Sequence, residues 1–219
     1  MSLQKQALEL YKTVFYEDDE HFAEAFTNKY FENSCRFILK DGKMIAMLYL
    51  IDCTFKNGNQ EYPAKYLYAA GVLPEYRKQG IMSKLLNDVL AEESIIITKP
   101  ANSNLFAFYE KFGFKVCAYK DELIKSFKNP TSTENYINKR KELLKNVPHI
   151  VLKDEEFSLQ DLTLYADDNF IVAADPDTNE IKEYIQENKD LLNGKTPFAM
   201  WKHKNNNLPS RIYFGIAMD

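Results

Sequence analysis

Residues 71–86, GVLPEYRKQGIMSKLL, constrain the fold more than any other part of this chain. They predict a strand that ends at Pro74, a short basic turn, and an amphipathic helix that follows Gly80. The apolar residues that recur there at helical spacing are Ile81, Met82, Leu85, Leu86, Val89 and Leu90. The turn therefore precedes the first, unpaired N–H groups of a helix, which together with the helix dipole favour a phosphate group. The pattern by itself is equally typical of an ordinary strand-to-helix turn with solvated Arg77 and Lys78.

A second motif follows a short predicted strand at residues 94–98. It is residues 99–116, KPANSNLFAFYEKFGFKV, in which Asn102 or one of the next two residues can cap a helix. One face of that helix carries Leu105, Phe108, Tyr109 and Phe112. Gly113 is placed to end it.

The two motifs, in this order and at this spacing, resemble those of the GCN5-related N-acetyltransferases, the GNAT superfamily, over residues 37–119. The resemblance implies an α/β (α+β) fold with a mixed, mostly antiparallel sheet flanked by helices. It also implies an enzyme that transfers an acetyl group from acetyl-CoA to a primary amine by direct attack. The alternative is a non-catalytic module of this fold that binds or senses an acyl-CoA. Aminoacyl transfer from charged tRNA by paired domains of this fold is disfavoured by the acidic balance of the chain.

The resemblance also implies roles for individual residues. The main-chain amides that would hold the pyrophosphate of acetyl-CoA are those of Arg77, Lys78, Gln79, Gly80, Ile81 and Met82. The pantetheine arm would lie beside Gly71, Val72 and Leu73. Asn102 would contact the cofactor arm, and Tyr109 would donate a proton to the departing thiolate. A phenol with a pKa of about 10 can protonate a thiolate whose thiol has a pKa of about 8.5. From spacing alone, Tyr109 is better interpreted as one more aromatic side chain on a buried helix face.

Two features depart from the family pattern. Met82 stands where the family has a small residue, so cofactor affinity is in question, although a flexible methionine can turn toward the core. The chain also begins with helical periodicity, without the expected first strand.

The general base is not evident, because the predicted strand that ends at Leu73 contains no carboxylate between residues 66 and 73. Glu61 and Glu75 are the nearest candidates, and both are better interpreted as surface charges.

Composition limits the classes of function. The chain has 219 residues, 45% of them hydrophobic, which is ample for a sizeable core. Its 28 basic and 32 acidic residues give a net charge of −4, so we expect no nucleic-acid partner. We also expect no membrane partner and no metal, and a small-molecule or peptide amine as the acceptor. The three cysteines, Cys35, Cys53 and Cys117, suit reduced core thiols, which favours a cytoplasmic location.

Periodicity predicts two parts that meet near residue 128. Residues 1–128 would be the GNAT-like acetyl-CoA-binding domain. Residues 129–219 would be a smaller α/β part that resembles the degenerate second half of relatives of the enhanced-intracellular-survival type. The elements predicted for the first part are helices at 2–16 and 19–31, strands at 34–41, 43–54 and 61–73, the two motif helices, and strands at 94–98 and 113–119. Those predicted for the second are a helix to about 146, a strand at 169–174, a helix at 179–192, and strands at 197–202 and 211–218. We expect the last two strands to cover the open sheet edge or face left by the missing first strand.

Overall fold

A computed structural model describes residues 1–120, 127–205 and 207–215. The helices are α1 (Leu3–Val14), α2 (Glu20–Ser34), α3 (Ile81–Glu92), α4 (Ser103–Glu110), α5 (Thr133–Leu143) and α6 (Glu155–Leu159). The strands are β1 (Cys35–Lys40), β2 (Lys43–Asn57), β3 (Gln60–Val72), β4 (Ile95–Thr98), β5 (Lys115–Lys120), β6 (His149–Leu152), β7 (Thr163–Ala166), β8 (Phe170–Ala174), β9 (Ile181–Gln186) and β10 (Thr196–His203). Most strand pairs are antiparallel and β3–β4 is parallel, so the predicted mixed fold class is confirmed.

The described residues form two compact units. Unit 1 contains Met1–Asp52, Ala64–Thr98 and Lys202–Lys204. Unit 2 contains the described residues of Cys53–Pro63, Lys99–Trp201 and Asn205–Asp219. Unit 2 thus includes residues from both sides of residue 128. The division into domains 1–128 and 129–219 remains a prediction.

In unit 1 the strands are ordered β1-β2-β3-β4. Asp41 and Gly42, with φ of 51° and 76°, turn the chain between β1 and β2, as the predicted hairpin requires. Residues 44–51 of β2 are all buried, as in a central strand covered on both faces, and the prediction of a strand at 43–54 is confirmed. The parallel pairing of β3 with β4 runs from Lys65 to Leu67, where β4 ends. Beyond that point β3 continues to Val72.

Two helices precede β1, as predicted. The Ser2 hydroxyl caps α1 by accepting the N–H of Lys5, and the Asp19 carboxylate caps α2 by accepting those of His21 and Phe22. Within the part of the chain that the structure describes, no strand comes before α1. Buried aromatic rings of both helices join the core of the unit, and Phe26 contacts the rings of Tyr49 and Tyr68.

In unit 2, β10 pairs antiparallel with β5, from Thr196 opposite Lys120 to Trp201 opposite Lys115. The expectation that this strand covers the edge left by a missing first strand is therefore wrong. The buried rings of Trp201 and Phe55, which lie 5.3 Å apart between centroids, give its apolar face a partner elsewhere. A second strand is predicted at 211–218, and for residues 211–215, which the structure describes, this prediction is also wrong. Tyr213 makes one isolated bridge with His149 there. Residues 216–218 lie outside the described residues.

The strands β7, β8 and β9 form a second, antiparallel sheet within unit 2. The Asp175 carboxylate accepts the N–H groups of Asp177 and Thr178, so the acidic segment before β9 is a turn. The buried residues Tyr136, Leu144, Leu159, Leu164, Ile171, Ala173 and Ile185 form the core between this sheet and α5 and α6.

The prediction of a helix over residues 179–192 is wrong, because Ile181–Gln186 is strand β9. Its buried residues are Ile181, Glu183 and Ile185, which have the two-residue period of a strand. A carboxylate on the buried face hides that period in the sequence, since an acidic residue is expected to face solvent. Glu183 is stable there because it accepts the hydroxyls of Tyr136 at 2.7 Å and Tyr213 at 3.0 Å.

Candidate functional site

The end of β3 and the turn that follows form the first part of the candidate site, and all of it lies in unit 1. The N–H of Leu73 donates to the carbonyl of Ile45 at 3.0 Å, and the carbonyl of Leu73 accepts the N–H of Tyr76 at 2.9 Å. Both main-chain groups of Leu73 are therefore already used within the protein. The free length of β3 beyond Leu67, where β4 ends, is the stretch in which an extended ligand could add to the strand.

The main chain of the basic turn has an anion-binding shape. Lys78 and Gly80 have φ of 61° and 76°, whereas φ of Gln79 between them is not positive. Such alternation makes successive N–H groups converge on one concave surface, which suits a phosphate oxygen. Helix α3 starts at once with Ile81, and its N-cap Gly80 contributes no side chain to satisfy the first N–H groups. A Cβ built at Gly80 would meet nothing within 4 Å, so the space beside the turn is open.

Side chains fix this turn to the end of the strand. The Nε of Arg77 donates to the carbonyl of Val72 at 3.1 Å, and the Nε2 of Gln79 donates to the carbonyl of Glu75 at 3.1 Å. Arg77 and Lys78 remain exposed, so their charges are available to an anion. Met82 is half-buried. The turn therefore combines a fixed main chain with accessible positive charge.

The strand end also lies against the end of α1. A Cβ built at Gly71 would lie 3.1 Å from Cγ1 of Val14 and 3.4 Å from a ring carbon of Phe15, so only glycine fits without displacement. Two residues earlier, Ala69 has a φ of 46°, which is uncommon for a residue with a side chain. The main chain of β3 is thus irregular in the stretch that β4 does not reach.

The two other residues with predicted roles, Asn102 and Tyr109, belong to unit 2, at the start and near the end of α4. Asn102 is the N-cap of α4, and its side-chain oxygen accepts the N–H of Leu105 at 3.2 Å, as the sequence predicts. Tyr109 is buried, with 5% of its surface exposed, and its ring lies 5.3 Å from those of Phe108 and Phe114. The predicted roles of Asn102 and Tyr109 toward a cofactor remain predictions.

Neither glutamate considered as a general base has a buried or isolated carboxylate. Glu61 is exposed and pairs with Lys56 at 2.8 Å, and Glu75 is exposed and pairs with Lys43 at 3.0 Å. A hydrogen bond from its own main chain, followed by that from Lys43, lowers the pKa of Glu75. A lowered pKa makes a carboxylate a weaker base, which agrees with the interpretation of Glu75 as a surface charge.

Three residues that sequence reasoning missed lie beside the strand end in unit 1. The hydroxyl of Tyr11 donates to Oδ2 of Asp18 at 2.6 Å, and the hydroxyl oxygens of Tyr11 and Tyr68 are 3.3 Å apart. The sequence gives little sign of this group, because Tyr68 is 57 residues from Tyr11. The one available signal was a tyrosine within the last six residues of the predicted strand at 61–73.

In unit 2, Lys99 follows the end of β4. Burial, then the charge of Lys120, lowers its pKa to about 8. The Nζ atoms of Lys99 and Lys120 lie 5.4 Å and 5.3 Å from the ring centroid of Phe198. Two ammonium groups at one ring repel each other, which agrees with the direction of the shift.

Comparisons with known proteins identify the family. The model of the acetyltransferase (GNAT) domain matches residues 2–117. This chain belongs to the GNAT acetyltransferase family. A search of curated proteins found no match.

Solved structures with a similar fold agree with that assignment. A GCN5-related N-acetyltransferase from Kribbella flavida superposes with a TM-score of 0.61 at 12% identity, over 91% of this chain and 69% of that one. Eis1 from Mycobacterium abscessus gives a TM-score of 0.58 at 12% identity, over 85% of this chain and 57% of that one. A putative acetyltransferase from Pyrococcus horikoshii gives a TM-score of 0.62 at 12% identity, over 97% of this chain and 90% of that one. At such identities the likeness shows the fold, including the predicted resemblance to the Eis type.

Two searches of the described residues bear on other classes of site. Among them, no helix is both long and apolar enough to cross a membrane. The same residues contain no group of three histidine, cysteine or acidic side chains that could hold a metal ion. The three cysteines are buried in their strands, as predicted for core thiols.

Proposed function

We propose that this protein is an N-acetyltransferase that moves the acetyl group of acetyl-CoA to a primary amine by direct attack. Acetyl transfer in general follows from membership of the family, whereas the donor, the acceptor class and the residue roles are our proposal. The observation that carries it is the turn from Arg77 to Gly80. Its alternating φ values, open space and exposed cations suit a pyrophosphate at the start of α3.

The cofactor would bind along a continuous path in unit 1. The main-chain amides proposed for the pyrophosphate are those of residues 77–82. The pantetheine arm would lie along Gly71 and Val72, in the stretch of β3 beyond the end of β4. Leu73 would lie beside the arm and contact it through its side chain, because its main-chain N–H and carbonyl are already hydrogen-bonded within the protein. Met82 would keep its side chain clear of the phosphate.

Two residues of α4 complete the proposal. Asn102 would contact the cofactor arm through its amide nitrogen, since its oxygen caps the helix. Tyr109 would protonate the thiolate of coenzyme A as the tetrahedral intermediate collapses. The nitrogen–carbon bond forms earlier, when the amine attacks; on collapse the carbon–sulfur bond breaks, the phenolic proton moves to sulfur, and the phenolate then regains a proton from water. A buried phenol beside two aromatic rings supports this role, because low polarity favours a neutral thiol over a thiolate.

The acceptor would be a small molecule or a peptide, in keeping with a net charge of −4 that disfavours nucleic acid. We retain a cytoplasmic location as a prediction from the three buried cysteines. The second candidate is an acyl-CoA-binding module without turnover. Met82, with its long side chain at the start of α3, favours that candidate.

A thiol-release screen tests the proposal. The protein is incubated with acetyl-CoA and, separately, with alkylamines, polyamines, aminoglycosides and peptides, and acetylated products are identified by mass spectrometry. We expect at least one amine to release free coenzyme A together with an equal amount of acetylated amine. Binding of acetyl-CoA without turnover on any class would support the non-catalytic module instead.

A further inference from the structure

Tyr68, Tyr11 and Asp18 form one hydrogen-bonded chain within unit 1. Tyr68 is on β3, Tyr11 on α1, and Asp18 in the turn between α1 and α2. The two contacts measure 3.3 Å between the tyrosine oxygens and 2.6 Å from Tyr11 to the carboxylate. Tyr11 is fully buried, whereas Asp18 is half-exposed. The chain therefore runs from the sheet to a group that water can reach.

The direction of the hydrogen bonds follows from the number of protons. An ionised carboxylate only accepts, so the single phenolic proton of Tyr11 is donated to Asp18. The contact between the two tyrosines must then use the proton of Tyr68, with the oxygen of Tyr11 as acceptor. The oxygen of Tyr68 keeps acceptor capacity, which is the arrangement that passes a proton from the sheet toward Asp18.

Tyr68 occupies a specific place on β3. Pairing with β4 ends at Leu67, so Tyr68 is the first residue beyond it, and the positive φ of Ala69 follows directly. Acetyl-CoA has pyrophosphate, arm and thioester in linear order. If the pyrophosphate lies at 77–82 and the arm at 71–73, the thioester falls beside the part of β3 that contains Tyr68.

We propose that Tyr68 accepts the proton that the acceptor nitrogen loses on acetyl transfer, and that Tyr11 and Asp18 carry it to solvent. This inference rests on the proposed function. As the nitrogen–carbon bond forms, the proton on nitrogen moves to the oxygen of Tyr68, that of Tyr68 to Tyr11, and that of Tyr11 to Asp18. Asp18 then releases one proton to water, and both phenols are neutral again. Tyr68 would be a further catalytic residue in addition to Tyr109, and Tyr11 and Asp18 would act through it.

The surroundings favour a relay over a stored phenolate. Burial is the main cause that raises the pKa values of Tyr11 and Tyr68, and the Asp18 charge raises both further. The rings against Tyr68 are those of Phe26, at 5.1 Å, and Tyr66, at 5.7 Å, and neither carries a charge. On α1 and α2 the nearby charges of Lys12 and Glu20 pair with each other at 3.5 Å. Asp18 is thus the charged group that acts on the two phenols.

The test compares pH profiles of kcat/KM, with acetyl-CoA and an amine from the screen. We expect Asp18→Asn and Tyr68→Phe to lower kcat/KM at neutral pH by about 10- to 100-fold. The loss should shrink as the pH approaches the pKa of the amine, because a neutral amine needs less help from a base. Asp18→Glu should restore part of the rate.

Matched controls lie in the same turn. Glu17→Gln removes an exposed charge beside Asp18, and Tyr16→Phe removes a hydroxyl from a side chain that is 77% exposed. Neither should change the profile. Asp18→Asn keeps a side-chain oxygen that can accept from Tyr11, so its unfolding temperature should stay close to that of the wild type. A loss in Asp18→Asn that is equal at every pH, or no loss in either variant, would overturn the relay.

A second readout does not depend on turnover. Tyrosine labelled with ¹³C at Cζ reports on each hydroxyl, and Tyr68→Phe and Tyr11→Phe assign the two resonances. Propylamine should shift the resonances of Tyr68 and Tyr11 and leave that of Tyr16 unchanged. If propylamine shifts these resonances but no amine is acetylated, the contact between Tyr68 and the amine is supported and the proposed function is contradicted. Turnover in which the pH profiles of the variants stay parallel to that of the wild type would retain the proposed function and overturn the relay. The absence of both turnover and resonance shifts would overturn the relay as well.

Discussion

The guanidinium of Arg77 donates from Nε to the main-chain carbonyl of Val72 at 3.1 Å. One side chain thus joins the end of β3 to the turn before α3, where we propose the arm and the pyrophosphate of acetyl-CoA bind. Arg77 would therefore act both through its charge and by holding the two binding segments together.

The first prediction concerns this double role. Arg77→Gln should weaken acetyl-CoA binding by about tenfold, because it removes a charge worth about 1 kcal/mol near a phosphate and loosens the turn. Arg77→Lys should recover only part of the affinity, since lysine keeps the charge without the Nε donor. Calorimetric titration measures both. Lys5→Gln, which removes an exposed charge from α1, is the control. Unchanged affinity in Arg77→Gln would show that this side chain takes no part.

The second prediction concerns Tyr109. Tyr109→Phe should leave acetyl-CoA affinity nearly unchanged while turnover on an accepted amine falls about 100-fold or more, because the departing thiolate loses its proton donor. Steady-state kinetics and calorimetry on the same preparation separate the two effects. Tyr62→Phe, near the start of β3, also removes a tyrosine hydroxyl and is the matched control. Equal turnover by wild type and Tyr109→Phe would leave Tyr109 as a core aromatic.

Local sequence patterns were sufficient to predict the turn and the helix start at Gly80, the capping role of Asn102 and the strand at residues 43–54. Each depends on neighbours within a few residues, where periodicity and capping operate. The hydrogen-bonded chain from Tyr68 to Asp18 depends on residues far apart in sequence, so only tertiary structure reveals it.

The errors in the second half of the chain have a similar cause. Strand β9 was predicted as a helix because Glu183 breaks the apolar alternation, and its partners Tyr136, Arg140 and Tyr213 come from distant segments. The pairing of β10 with β5 also joins distant segments, and the sequence contains no local sign of it.

The third prediction concerns that buried carboxylate. The side chain of Glu183 has no exposed surface and pairs with Nε of Arg140 at 3.0 Å. Glu183→Ala should lower the free energy of unfolding by about 3–5 kcal/mol, because it removes one of the two carboxylates that pair with the buried Arg140 guanidinium among the described residues, and leaves Glu155. Urea unfolding measures the loss. Glu180→Ala removes an exposed carboxylate that pairs with Lys182 and should cost less than about 1 kcal/mol. Equal stabilities of the two variants would contradict this account.

The fourth prediction is a pH dependence of stability. Burial lowers the pKa of His149 to about 4, from an ordinary value near 6.5. Between about pH 4 and pH 6.5, His149 is therefore protonated in the unfolded chain and neutral in the folded protein. The free energy of unfolding consequently falls as the pH drops from about 6.5 to 4. The contribution of His149 is up to about 3 kcal/mol.

His149→Gln should remove that part of the pH dependence in urea unfolding series. His21→Gln, at an exposed position on α2, should leave the slope as in the wild type. A slope that His149→Gln leaves unchanged would assign the acid sensitivity to other groups.

Calorimetric titration with acetyl-CoA tests the central claim, an acyl-CoA site at the end of β3 and the start of α3, most directly. We predict saturable binding of acetyl-CoA, with weaker binding of adenosine 3′,5′-bisphosphate, which lacks the pantetheine arm. Acetyl-CoA at about a hundred times its Kd should also stabilise the fold by roughly 2.7 kcal/mol, seen as a higher unfolding temperature. Neither heat nor a temperature shift with millimolar acetyl-CoA would contradict both the enzyme and the acyl-CoA-binding module.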